Sequence, residues 1–394
     1  MRQKTYLPTG QQQTYNNNET SLLNLINNKC AEITENEHTV SMIQRLVEDI
    51  ERALKTVSDK ITEQSKINNI SVVPKLPDSV KSNNADQSYE DPTESFRYLN
   101  IKFLYFSLTF PNNRLINSSM LKGAMKVSTL AMRLFLQTDC DYSLVLICAN
   151  KPTKTLLNDI SLQLDSNNEQ SNPVNYQIVA HVSEACLTVQ CSLLPKHTIR
   201  ILITSPVFRS ENFLNYDENT RQQIAELNPD PIDMLDKNKC LQAAAEIRHS
   251  NWYTHCMLEH NSNSIVLRIL RYLQQNQTPL SYLNLWCLTL LVYKCQQQPA
   301  TSSTSLFRSV FTCLSSGILL PNHIGPGIID PCEKEPIDAA AYLTMNQRLS
   351  ITDYAQYVLR LIAFGKNESI FQFESSCQTE QITFNSTAED HKMN

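Results

Sequence analysis

The turn Val127-Ser128-Thr129 is followed downstream by an apolar strand, Ser143-Leu144-Val145-Leu146. A turn of hydroxyl residues can cradle a phosphate through its side chains and backbone N–H groups. Metal-assisted transfer chemistry on that phosphate then needs two carboxylates spaced i, i+2 on the next strand. Alternate residues of a strand share a face, so such a pair can hold Mg²⁺ between them. Those positions read Ser143 and Val145, and neither carries a charge for a hard cation. Asp139 and Asp141 lie close by, but shifting the register by two residues brings only Asp141 and Ser143 to the face, one acid rather than two. No residue is therefore assigned a catalytic role, and no metal or cofactor is expected. Ser128 and Thr129 stand as degenerate nucleotide-binding candidates, with affinity weakened by the missing metal bridge.

Other reactive types are read more plainly. His249, His255, Cys256 and His260 invite a zinc site, yet their spacing matches no strong ligand pattern, so they are taken as structural or surface residues. Asp330-Pro331-Cys332-Glu333 follows the turn Gly325-Pro326-Gly327 and has no positioned histidine beside it. It is expected to be a shaped loop whose acids cap or brace a helix. Arg248, Arg268, Arg271, Arg308 and Arg360 recur in otherwise apolar helical patterns, where a planar guanidinium suits a bidentate contact with a partner or a salt bridge inside the chain. Trp252 and Trp286 read first as core and second as interface anchors. Lys151, Lys154, Lys196, Arg200 and Arg209 could border a cleft as a modest basic patch for RNA phosphates.

The elements that must position these residues are set by the whole chain. With 394 residues and 41% hydrophobic residues, it can bury a core in two or three domains. A net charge of -5 gives no global sign of a nucleic-acid partner. Glycine is scarce, at 6 residues, and neither a G-x-G-x-x-G nor a G-x-x-x-x-G-K string occurs, which argues against a Rossmann cofactor site and a P-loop. The 12 cysteines include no C-x-x-C pair, and Met1-Arg2-Gln3-Lys4-Thr5 leads into Gln and Asn rather than an apolar leader. Reduced, core-filling thiols inside the cell are expected. The longest apolar run, Ile101 to Phe110, is broken by Lys102 and Ser107 and is too short to span a bilayer.

Along the chain, residues 1–36 are rich in Asn, Gln and Thr and are expected to be disordered, with at most a transient helix at Leu22 to Ile26. Val40, Ile43, Leu46, Val47, Ile50, Leu54, Val57 and Ile61 then mark one face of an amphipathic helix. Residues 65–120 read as a polar insertion ending in an aromatic patch, Phe96 to Phe106. Short strands are expected at Leu144 to Cys148, Tyr176 to His181, Ala185 to Gln190 and Ile199 to Thr204, with a helix from the Lys151-Pro152-Thr153-Lys154 region between the first two. Apolar periodicity from Cys240 to Trp252, Ile265 to Leu273, Leu283 to Val292, Phe307 to Leu314 and Ile351 to Ile362 predicts five further helices.

That order, with several local strings, resembles the DZF domain family, shared by zinc-finger RNA-binding protein and the interleukin enhancer-binding factors. The strings are Arg248-His249-Ser250-Asn251-Trp252, Ile265-Val266-Leu267-Arg268-Ile269-Leu270-Arg271, Ser315-Ser316-Gly317-Ile318-Leu319-Leu320, Asp330-Pro331-Cys332-Glu333-Lys334 and Tyr357-Val358-Leu359-Arg360-Leu361-Ile362-Ala363-Phe364. Leu121-Lys122-Gly123, Leu144 to Leu157 and Glu51 to Asp59 extend the likeness, which is greatest to the DZF region of zinc-finger RNA-binding protein and spans roughly 38–372. The resemblance implies an α+β architecture in which a nucleotidyltransferase-like mixed-sheet lobe precedes an all-helical lobe, as in template-free nucleotide polymerases. The corresponding boundaries are 37–235 for the first lobe, 236–372 for a helical dimerisation lobe and 373–394 for a flexible tail. It also implies a pseudo-enzyme that pairs with a DZF protein resembling an interleukin enhancer-binding factor, in RNA metabolism of the nucleus and also the cytoplasm. Ser128 stands where the family has glycine. Neither a C2H2 finger nor a double-stranded-RNA module is visible, so direct RNA binding does not carry over from finger-bearing members and remains an alternative, as does transfer by acids recruited from elsewhere.

Overall fold

The computed structural model describes residues 9–67, 120–171, 175–210, 229–296, 302–321, 327–333 and 335–373, together with Asn219, Gln222 and Glu226. The polar insertion from 68 onward, its aromatic patch and the tail beyond 373 lie outside these residues.

Five strands form one mixed sheet: β1 (Leu121–Val127), β2 (Asp141–Cys148), β3 (Tyr176–His181), β4 (Cys186–Cys191) and β5 (Leu194–Thr204). Their spatial order is β1-β2-β5-β4-β3. β2 and β5 run parallel at the centre, and the other pairings are antiparallel. The central strands are apolar on both faces, as sheets covered on both sides require. One face packs Leu144, Leu146, Ile199, Ile201 and Ile203 against α2 (Glu37–Ile67) and α4 (Lys154–Ser171). α2 contributes Ile43, Leu46, Val47, Ile50, Leu54, Val57 and Ile61, all buried, which is the apolar stripe of the sequence. Its first turn is capped by the Asn36 side chain, which accepts from the Thr39 amide at 2.8 Å. Between β1 and β2 sits the short helix α3 (Ser128–Met132), and α5 (Val207–Ser210) follows β5.

α6 (Lys237–Cys256) covers the opposite sheet face with its first half. There Ala243 and Ile247 meet Val127, Val145 and Ile147. Its second half, with Trp252 and Tyr253, enters the helical core instead. That core is completed by α7 (Asn261–Asn276), α8 (Thr278–Ser281), α9 (Leu285–Cys295), α10 (Ser303–Ser315) and α11 (Met345–Ala363). Asp236, Asn284, Ser302 and Thr344 cap α6, α9, α10 and α11 through their side chains.

The expectation of disorder across 1–36 is corrected over the described residues 9–36. α1 (Thr9–Ile33) is helical, and Leu22, Ile26, Cys30 and Ile33 are buried in the helical core beside Leu134 and Leu136. Its apolar residues are sparse but recur on one face, so burial against folded neighbours supplies the stability that composition denies it.

Candidate functional site

β1 delivers the chain into the predicted phosphate turn, with Val127 paired to Ser143 in the register. Ser128 adopts a φ of 54°, the left-handed region. A side chain there costs about 1–2 kcal/mol that glycine avoids. The Ser128 amide does not face open space. It donates to Ser250 Oγ of α6 at 2.9 Å, and Ser250 is buried. An internal hydroxyl thus accepts the N–H that would otherwise be offered to a phosphate oxygen. Thr129, the second candidate, is also buried.

Of the two acid positions, Ser143 is half-buried and Val145 is closed. Val145 is fully buried in the contact of Val127, Ile147, Ala243 and Ile247. A carboxylate here would be stripped of water without a partner. Ser143 aligns with Arg200 across the β2–β5 pair. The Arg200 guanidinium reaches Cys186 Sγ at 4.0 Å, so this row of the sheet carries a cation, the wrong sign for holding a divalent metal. Asp139 is committed elsewhere. It accepts from Arg271 at 2.7 Å and 3.1 Å and from the Leu136 amide at 2.9 Å. Asp141 is exposed at the start of β2. Among the described residues, no group of three or more His, Cys, Asp or Glu side chains is placed to hold a metal ion.

Half-buried Glu246 lies on the same helix as Ser250. Burial pushes its carboxyl above the usual range, and the nearby His249 only partly offsets this.

The proposed interface residues fall into two groups. Arg248 is buried and pairs with Glu333. Trp252 is buried edge-on to Trp286, with ring centroids 5.4 Å apart. Trp286 donates to Asp330 Oδ2 at 2.9 Å and stacks on His249 at 4.0 Å. Arg268 donates to the Arg133 carbonyl at 2.7 Å, while Arg271 holds both Asp139 and the Leu134 carbonyl. These two arginines of α7 hold the backbone carbonyls that lie just past the end of α3. Arg308 pairs with Glu19 of α1. Trp252 and Trp286 thus take the core reading put first, and Arg248, Arg268, Arg271 and Arg308 each have a partner inside the chain. Arg360 alone of the set is exposed.

The zinc candidates do not converge. His249 lies 3.4 Å from Asp330, and exposed His255 contacts the Asn251 carbonyl at 2.9 Å. The loop at 330–333 acts as the sequence suggested, bracing α6. Burial opposes the charge on Asp330, but the neighbouring His249 and the hydrogen bonds from the Cys332 amide and Trp286 outweigh it and hold its carboxyl below the usual range. Within the basic set, Lys151 is buried and paired with Asp230, Lys154 and Lys196 are exposed, and Arg200 is half-buried. The Arg209 side chain lies outside the described residues.

Sequence reasoning missed Ser250, Ala243 and Ile247 as the groups that close the turn. Ser250 sits 122 residues from Ser128 in sequence, and nothing in its local pattern reveals that meeting.

Comparison with known proteins gives two matching family models, the DZF N-terminal domain over residues 5–257 and the DZF C-terminal domain over residues 262–389. They meet at the turn after α6, so α6 falls within the N-terminal match. Among solved structures, the cyclic AMP-GMP synthase DncV of Vibrio cholerae is similar at 11% identity and a TM-score of 0.48, over 87% of this chain and 89% of that one. A cytoplasmic RNA terminal U-transferase is similar at 8% identity and a TM-score of 0.45, over 90% and 98%. CdnC of E. coli MS115-1, in its HORMA-deltaN complex, is similar at 14% identity and a TM-score of 0.41, over 82% and 95%.

Proposed function

This chain belongs to the DZF family, and from that premise we propose that it is a catalytically inactive, nucleotidyltransferase-like subunit that pairs with a second DZF protein in an RNA-regulatory complex. The observation that carries the inactive reading is the closed turn: Ser250 occupies the Ser128 amide, and Val145 is sealed under Ala243 and Ile247. A partner resembling an interleukin enhancer-binding factor, acting in the nucleus and also the cytoplasm, fits this reading.

α11 offers the surface for pairing. Met345, Leu349, Tyr357 and Phe364 are exposed on or at the end of this helix, with Tyr342 just before it. Leu349, Tyr354 and Tyr357 line a shallow groove of about 500 Å³ with Pro279, Asn346 and Asp353. Arg360 borders the same helix, and aromatic and arginine side chains are the usual anchors of protein interfaces.

Co-purification with an interleukin-enhancer-binding-factor-like DZF protein, followed by light-scattering mass determination, tests the proposal. A one-to-one complex is expected. Two separate monomers at micromolar concentration would overturn it and move direct RNA contact through Lys154, Lys196 and Arg200 ahead, to be read as salt-dependent RNA retention.

A further inference from the structure

One face of the sheet is covered over only part of its width. Along β3, β4 and β5, every second residue packs into the core beneath α2 and α4, among them Ile178, Leu187, Val189, Ile199 and Ile201. The alternate residues point the other way. α6 meets that second face at Val127, Val145, Ile147 and Leu202. Beyond this contact the face stays accessible among the described residues. Gln177, Val179, Gln190 and Lys196 are exposed, and His181, Thr188, Thr198 and Arg200 are half-buried. The register sets these side chains in rows. Val179 pairs with Thr188, Thr188 with Arg200 and Arg200 with Ser143. Gln177 pairs with Gln190, and Gln190 with Thr198.

These rows are polar and carry cations. Lys196 and Arg200 share this face of β5, about 13 Å apart along the strand. His181 Nε2 lies 2.9 Å from Thr188 Oγ1, and Gln190 donates to Thr198 Oγ1 at 3.1 Å. Glu184, just after β3, is already paired with Lys239 at 2.8 Å, whereas exposed Asp141 borders the face beside Thr198. A protein partner would need an apolar centre. Val179 alone supplies exposed apolar area in these rows, and Tyr176, the one aromatic carbocycle of β3, β4 and β5, faces the core. Cations flanked by hydroxyls and amides match a phosphate–sugar chain instead, and groups that both donate and accept suit a 2′-hydroxyl.

We propose that this open face is a binding surface for single-stranded RNA, with Lys196 and Arg200 on phosphates and His181, Thr188, Gln190 and Thr198 on sugar hydroxyls and base edges. With no aromatic ring to stack on, the RNA is held by its backbone, so binding is weak, sequence-tolerant and salt-dependent. Lys154 falls outside this surface, because it opens α4 on the opposite side of the sheet. The inference rests on the RNA side of the proposed function and is independent of the pairing surface on α11.

The test is fluorescence anisotropy of the full-length chain with a labelled oligouridine across a salt series. Lys196→Ala and Arg200→Ala are each expected to flatten the slope of log affinity against log salt by about 0.7, and together to weaken binding at least about tenfold. Lys55→Ala, exposed on α2 across the sheet, is expected to stay within about twofold of wild type. No retention of oligouridine, or equal loss from Lys55→Ala, would overturn the proposal. An oligoglutamate bound as tightly would overturn it too, by marking a general anion surface. Ultraviolet cross-linking of 4-thiouridine RNA to the wild-type chain needs no variant: cross-linked peptides are expected within 176–204. Cross-links confined to the helical lobe would sink this surface, while a one-to-one complex by light scattering would leave the pairing reading intact.

Discussion

Val145 shows why restoring an acid to this strand does not restore chemistry. Its side chain is sealed between the sheet and α6, so Val145→Asp is expected to destabilise the fold by on the order of 3 kcal/mol or more through an unpaired buried charge. Metal-dependent nucleotide incorporation by a Ser143→Asp, Val145→Asp protein that still folds would sink the closed-site reading. Glu246 gives a pH signature. Its folded carboxyl is raised, so its contribution favours folding below the unfolded value of about 4.3 and is lost as pH rises through the folded value. Glu246→Gln should therefore melt higher than wild type in mildly alkaline buffer, with the gap closing as the buffer is acidified below that unfolded value. An unchanged gap across the titration would count against a desolvated carboxylate. The missing acids were legible because strand periodicity assigns Ser143 and Val145 to one face. Ser250 was not, because its role exists only once α6 crosses the turn.

At the level of elements, α1 is the sharpest departure from local sequence. Asn and Gln dominate it, yet Leu22 and Ile26 are fully buried and Arg308 of α10 pairs with its Glu19. Ile26→Ala is expected to cost about 2–5 kcal/mol in chemical denaturation, the penalty of a core cavity. A cost below about 0.5 kcal/mol would mean that the helix is peripheral. α2 was legible in detail because its stripe repeats over many turns. α6 was legible as a helix, but not as one that serves two cores. Local periodicity carries no sign that Ala243 and Ile247 meet the sheet while Trp252 meets the helices. The α7 arginines illustrate the same ambiguity. Their guanidinium chemistry suits an external carboxylate and an internal one equally, and only the approach of α3 and Asp139 settles the choice.

For the whole molecule, the prediction concerns association. Leu349→Asp and Tyr357→Asp are expected to weaken pairing with the DZF partner at least about tenfold, while melting shifts by no more than about 0.5 kcal/mol because both side chains are exposed. Undiminished pairing by titration calorimetry would move the interface off α11. The order of the lobes, the strand-rich segment, the five later helices and the absent acid pair were written in the sequence by itself, through strand and helix periodicity, glycine scarcity and the DZF-like strings. These are local signals, and each is complete within a few turns or one strand. Tertiary structure alone decided that α1 belongs to the helical core, that Arg248 and Arg271 turn inward, and that Ser250 closes the phosphate turn. Each of these depends on contacts between segments far apart in the chain, where burial and hydrogen-bond pairing depend on which neighbour arrives, not on what the local residues are.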